Sequence, residues 1–206
     1  HYTLDGSEPT AASPRYTEPV EIGKSARFRA TALREGGENV SYSREFVFSK
    51  STGHPAVLNT KPNDSYTFEG ASLLVDGYHS RPVFTSGAWL GYLDEPLDVT
   101  IDMGGEQSYS SVELETLAEK GDWIFPPSSV TVWVSDNGTD FTEVASVSVP
   151  EAKAGDADGI GRYRMQFPET SARYLKVVAQ NAAAIPAWHP GAGSKGFLFV
   201  DEVVVE

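Results

Sequence analysis

Hydrophobic and polar residues alternate with a period of two along most of this chain. Ala26, Phe28, Ala30 and Ala32 interleave with Arg27, Arg29 and Thr31, and Val99, Ile101 and Met103 with Thr100 and Asp102. Val130, Val132 and Val134 share one face, opposite Thr131 and Trp133. Val147 with Val149, Tyr163 with Met165 and Phe167, and Leu175 with Val177 repeat the rhythm. Successive side chains of an extended strand point to opposite faces, so this period predicts half-buried strands. The closing run from Phe197 to Val205 is rich in β-branched and aromatic residues and predicts a last strand. Asp5-Gly6, Gly36-Gly37, Gly104-Gly105 and Asn137-Gly138, the last between Val134 and Phe141, supply turn signals. No stretch keeps a 3.6-residue period over three turns. Many short strands divided by such turns predict an all-β chain of sandwich or barrel type.

The polar stretch Ser49-Lys50-Ser51-Thr52-Gly53-His54-Pro55 follows the strand Glu45–Phe48 and ends in X-Pro. It predicts a boundary, with domains at 1–50 and 51–206. A module of fifty residues buries only about 60% of its unfolded surface, and this chain has no cysteine to staple it. The first module also opens inside a strand, at His1-Tyr2-Thr3-Leu4. The expectation is that its first strands lie upstream, leaving an edge that is exposed or covered by a neighbour. With no charged and apolar leader at His1, any targeting signal is expected upstream or removed.

Charge divides at the same place. Residues 1–50 hold seven basic and seven acidic residues, whereas residues 51–206 carry the whole net charge of −13. That balance argues against nucleic acid, which needs a basic face to displace counterions, and against anionic membrane surfaces. No apolar run approaches the roughly 20 residues that span a bilayer. The lack of cysteine excludes disulfides and thiolate metal sites. An acidic surface keeps a module soluble, and it also offers carboxylates to a hard cation such as calcium.

His1-Tyr2-Thr3-Leu4-Asp5-Gly6-Ser7-Glu8-Pro9-Thr10, followed by Tyr16-Thr17-Glu18-Pro19-Val20, resembles the small fibronectin-III-like domain that follows the catalytic barrel of bacterial chitobiases and β-N-acetylhexosaminidases. The resemblance covers roughly residues 1–50 without that domain's opening strands. From Leu74-Val75-Asp76-Gly77 onward the chain resembles the discoidin, or coagulation-factor type C, family, which includes galactose-type carbohydrate-binding modules. The carriers continue through Trp89-Leu90-Gly91-Tyr92, Val99–Gly104, Pro127–Phe141, Ala172–Val177 and Phe199–Val205, in the family's order. Pro186-Ala187-Trp188-His189-Pro190-Gly191 is similar to tails of Bacteroides-type hexosaminidases. The resemblance implies a truncated fibronectin-III-like β-sandwich fragment followed by a discoidin-like β-sandwich or jelly roll. It also implies a bacterial parent that is secreted, periplasmic or cell-surface, whose catalytic domain lies upstream as a partner.

Glycoside hydrolysis needs two carboxyl groups astride the scissile bond, or one acid helped by the substrate's acetamido group. Adjacent acids occur at Asp94-Glu95, in a predicted turn, and at Asp201-Glu202, in the last strand. Neither has the His-x-Gly-Gly-Asp-Glu setting of the hexosaminidase barrel, and no barrel-length βα pattern exists here. The chain is therefore expected to be non-catalytic, and its four histidines do not form a metal-spacing pair. The resemblance implies instead a structural calcium held by Asp76, Ser86 and Glu202 with backbone carbonyls. The competing reading has Asp76 capping a turn with Gly77 and Glu202 facing solvent.

Sugar recognition needs an aromatic face for the ring's C–H surface and polar groups for its hydroxyls. Predicted loops offer Tyr78, His79, Arg81, Trp123, Phe125, Trp188 and His189. Trp89 and Tyr92 fit core positions, and Pro186 and Pro190 could clamp Trp188 as a packing plug. Related galactose binders use a His, an Arg and an Asn; where the Arg is expected, this chain has Leu117-Ala118-Glu119. The expected function is a module that holds a β-N-acetylhexosaminidase near glycans of the GlcNAc, GalNAc or galactose type. The alternative is a purely structural domain that packs on the catalytic barrel or joins subunits, with no ligand.

Overall fold

The computed structural model describes residues 1–34, 36 and 38–206. Gly37, half of the predicted Gly36-Gly37 turn, lies outside the described residues. The chain divides into two units, residues 1–48 with 77–79, and residues 49–76 with 80–206.

The smaller unit is one antiparallel sheet, β1 (Tyr2–Thr3), β2 (Ala26–Ala32) and β3 (Val40–Phe46), in that spatial order. Its register pairs Phe28 with Arg44 and Ala30 with both Tyr2 and Tyr42. Opposed residues share a face, so Tyr2, Phe28 and Tyr42 line up, with ring centroids 6.0 and 6.5 Å apart. The other face is polar, with Arg27 bonded to Glu45 at 2.9 Å and Arg29 paired with Glu8. Here the alternation departs from expectation. Thr31 is buried because its hydroxyl meets Glu8 and Ser41, while Ala32 is exposed. Residues 77–79 join this sheet rather than the larger unit. Phe46 bridges Tyr78, the Val47 amide donates to the Gly77 carbonyl at 2.7 Å, and the Arg44 guanidinium lies 3.8 Å over the Tyr78 ring.

The larger unit is built from β4 (Ala56–Leu58), β5 (Leu90–Tyr92), β6 (Leu97–Ala118), β7 (Ser129–Ser135), β8 (Thr142–Ser148), β9 (Gly159–Gln180) and β10 (Leu198–Val205). Two strands run 22 residues each and pair antiparallel along their length. Their ladder passes through both layers of a jelly-roll sandwich. In one layer residues 97–102 of β6 lie between β4 and β9, and β9 continues to β7 and β8. In the other, residues 111–118 of β6 lie between β9 and β10, with β5 at the edge.

The ladder bends where its register shifts, between Asp102 and Gln107 and again between Tyr109 and Ser111. Gly104-Gly105 is therefore a bulge inside β6 and not the predicted turn; Gly104 takes φ +76°, which glycine adopts without steric cost. At the second shift, Pro168, which cannot donate to a ladder, falls among the unpaired residues of β9 opposite Ser110. The two runs predicted around Met165 and Val177 are for this reason one strand. Arg173 clamps the bend, its Nε and a terminal nitrogen each 2.8 Å from Asp102, and these bonds hold the Asp102 carboxyl down at about 2.

Leu97, Val99, Ile101 and Met103 of β6, Val130 and Val132 of β7, and Leu175 and Val177 of β9 point between the layers and are buried, as their period predicts. Asn137-Gly138 turns β7 into β8, with the Asn137 side-chain oxygen accepting the Thr139 and Asp140 amides. A second apolar cluster covers the outside of β10: Trp89, Leu117, Ile124 and Phe199, flanked by Tyr66 and Phe84 from the loop before β5. Gly91 lies against it, and a Cβ there would come within 2.8 Å of Tyr66 and 2.9 Å of Phe199. Gly91→Ala should cost about 1–3 kcal/mol by overpacking. Gly105→Ala, which meets open space, should change stability by less than about 0.5 kcal/mol. Urea denaturation of the two variants checks this contrast.

Candidate functional site

Trp123 and Trp188 stand at one end of the larger unit, 42% and 40% exposed, on either side of a buried His189. His189 meets Trp123, Trp188 and Phe125 edge-to-face at 6.0, 5.5 and 5.6 Å. Backbone sets this arrangement. The His189 Nδ1 accepts from the Gly191 amide at 3.0 Å, so its Nε2 carries the proton and donates to the Lys120 carbonyl at 3.0 Å. Both ring nitrogens are thus engaged, and His189 supports the indoles rather than presenting a free polar group. Trp123 closes a 3₁₀ turn over Lys120–Asp122 and takes φ +65°. That left-handed conformation costs roughly 1–2 kcal/mol for a residue with a Cβ. The Trp123 amide bond to the Lys120 carbonyl and the Phe197 amide bond to the Trp123 carbonyl hold it there. The benzo ring of Trp123 sits directly on Gly191, where a Cβ would come within 2.8 Å. The Trp188 indole nitrogen donates to the Ala152 carbonyl at 2.9 Å.

Phe125 is core, 2% exposed, and forms the base on which this cluster stands. Beside it a groove of about 400 Å³ runs between Pro126, Pro150, Ala152 and Ile185. Trp89 and Tyr92 are fully buried, as expected. The structure thus brings together Trp123, Trp188 and His189. Tyr78 and His79 belong with the smaller sheet, and Arg81 is exposed, its carbonyl accepting from the Trp89 indole.

A second constellation lies on β10. Between Val200, opposite Thr116, and Val203, opposite Leu114, β10 holds one residue more than β6. This bulge carries Asp201 and Glu202 and faces Glu115. The three carboxylates are 1%, 0% and 1% exposed respectively. Glu202 therefore does not face solvent. Arg162 donates to Glu115 at 2.8 Å. The Ser80 amide donates to Asp201 at 2.6 Å, which ties the loop after Asp76 to the last strand. Burial pushes the Asp201 carboxyl up to about 8, and the charges of Glu115 and Asp76 push it the same way. Ser80 is thus the loop residue that reaches this strand. Ser86 is exposed, and its hydroxyl takes the Ala88 amide.

Residues 59–195 match the F5/8 type C domain family, and residues 1–46 match the Fn3 associated family. The chain belongs to the F5/8 type C family. The chain is also similar to several solved structures. A Clostridium perfringens module in complex with GalNAc-β-1,3-galactose is 16% identical, with TM-score 0.48, over 73% of this chain and 93% of its own. A chitosan-binding module of a Paenibacillus sp. IK-5 chitosanase/glucanase, in complex with chitotriose, is 18% identical, with TM-score 0.49, over 76% and 98%. A Streptococcus pneumoniae fucose-binding module is 22% identical, with TM-score 0.47, over 77% and 94%. No curated protein matches.

Sequence reasoning missed Glu115, Ser80 and Asp201 as one group with Glu202 in the F5/8 type C domain. A signal for part of it was present, two adjacent acids inside an otherwise apolar strand, because charged residues are seldom buried without partners. His189→Ala would leave the Lys120 carbonyl and the Gly191 amide unsatisfied and release both indoles. We expect a loss of about 1–3 kcal/mol in chemical denaturation. A red shift of the tryptophan emission should accompany it.

Proposed function

We propose that this chain is a non-catalytic carbohydrate-binding region of a secreted bacterial glycoside hydrolase of the β-N-acetylhexosaminidase class, which it holds near glycans. The observation that carries the reading is the pair of half-exposed indoles fixed about one buried histidine. Large aromatic faces left in water beside a sealed support are what a sugar's C–H surface stacks on. Weak binding at one such site suffices, since tethering raises the effective concentration of the enzyme at its substrate. The sequence Tyr2–Thr10 and the order of the two domains support the choice of parent. Isothermal titration of the chain with galactose, GalNAc, GlcNAc and chitobiose tests the reading. Binding to at least one sugar is expected, weakened about tenfold or more by Trp123→Ala or Trp188→Ala. Silence across the panel would remove it.

A structural calcium ion is the second part of the proposal. The donor set fits a hard cation: Glu202 and Asp201 are buried at the bulge, with Asp76 exposed and close enough to act on Asp201 electrostatically. Among the described residues no three carboxylates or imidazoles form a cage by themselves. Asp76 and Glu202 would therefore share the ion with backbone carbonyls. A bound ion supplies positive charge to carboxylates that burial otherwise penalises. The chain's own part is to hold Ser80 on β10, which the Ser80–Asp201 bond does. Thermal melts in saturating calcium and in chelator should differ by roughly 5–10 °C. Glu202→Gln should erase most of the difference, and coincident melts would exclude the ion.

A further inference from the structure

We infer that Lys120 is a positioning residue of the proposed sugar site: it ties the turn that carries Trp123 to the loop between β8 and β9, and so fixes the two indoles relative to one another without meeting a ligand itself. This role rests on the sugar-binding reading above and deepens it. Both indoles are held against that one loop. The Trp188 indole nitrogen donates to the Ala152 carbonyl at 2.9 Å. Trp123 reaches the loop through Lys120. The Lys120 carbonyl accepts from the Trp123 amide and from the His189 Nε2, both at 3.0 Å, while the Lys120 amide donates to the Asp158 carboxylate at 3.2 Å. The ammonium group donates to the Asp156 carbonyl at 2.9 Å and to the Asp158 carboxylate. One residue thus joins the Trp123 turn, His189 and the loop.

Packing does not place this loop, because residues 153–158 are all exposed. Hydrogen bonds place it instead. The Asp156 amide donates to the Lys153 carbonyl at 3.1 Å and the Lys153 amide to the Asp156 carboxylate at 2.8 Å, which closes a turn. Lys120 anchors that turn to the domain. Stability alone does not account for a lysine here. Lys120 is 7% exposed, and replacing a buried ion pair by apolar side chains of similar size is often neutral for stability. What the charge adds is direction. An apolar side chain packs without choosing a partner, whereas a buried ammonium has to face its acceptors, here Asp156 and Asp158. A site made of two indoles depends on such placement, since a ring left loose must be ordered when the ligand arrives.

The test is isothermal titration of the whole chain and of its Lys120→Met variant with galactose, GalNAc, GlcNAc and chitobiose, well below the melting temperature. Methionine keeps most of the buried stem and removes the ammonium group. Every sugar that binds the unchanged chain is expected to bind the variant about fivefold or more weakly. The melting temperature is expected to stay within about 3 °C. A tie that served stability alone would move the melt and leave the affinity in place. Asp158→Ala should weaken binding in the same way. Asp158→Asn, which keeps an oxygen for Lys120 to reach, should weaken it less. Lys120→Met with Asp158→Ala should bind no more weakly than Lys120→Met alone, because both remove one tie. Unchanged affinity in Lys120→Met overturns the positioning role and leaves the sugar-binding reading standing, and so does a double variant whose losses simply add. If Lys120→Met fails to fold, Asp158→Ala decides, and unchanged affinity there overturns the role. If the unchanged chain binds none of the four sugars, both readings fall.

Discussion

The antiparallel ladder between β6 and β9 is the constraint on which the larger unit depends. Its two strands of 22 residues belong to both layers, so the sandwich is a folded ribbon and not two sheets made separately. A ribbon of that length can turn over only where its hydrogen bonds can be interrupted. Gly104 and Pro168 supply the interruption, one by reaching a left-handed conformation and the other by lacking a donor. Asp102 and Arg173 then pin the bend from side to side. Strands β4, β7 and β10 add to the edges that this ribbon has already set, and β8 and β5 extend β7 and β10 in turn.

The same architecture explains why the last strand holds both core and acid. β10 is covered on its inner side by the sandwich and on its outer side by the loop that brings Trp89, Tyr66 and Phe84. A strand buried on both faces leaves no solvent side for polar residues. Asp201 and Glu202 are tolerated because a bulge takes them out of the alternation and sets them opposite Glu115. Arg162 on Glu115 and the Ser80 amide on Asp201 supply partners to the carboxylates gathered there.

At the aromatic end the logic is reversed, since apolar surface is exposed while the polar groups are satisfied. His189 spends both nitrogens on backbone, the Trp188 nitrogen is bonded to Ala152, and Lys120 is bonded to Asp158. What remains outward is indole surface. A rigid, half-exposed ring loses little freedom when a ligand arrives, and that is the condition for a small site to bind at all.

The period-two pattern by itself determined the all-β class, the strands around Ala26–Ala32 and Val130–Val134, and which of their side chains fill the core, because alternation decides which side chains share a face; the last strand, Phe197–Val205, was legible from its β-branched and aromatic residues instead. The order of short motifs carried the family, and Trp123, Trp188 and His189 were each recognisable as loop residues that stand out. Only the tertiary structure decided that Gly104-Gly105 is a bulge and not a turn, since a ladder that continues past a glycine pair is a long-range fact. It likewise decided that His189 supports two indoles, that Tyr78 and His79 belong to the smaller sheet, and that Asp201, Glu202, Glu115 and Ser80 meet. Local sequence fixes the conformations a residue can adopt, whereas groups separated by more than a hundred residues become neighbours only through the pairing of strands.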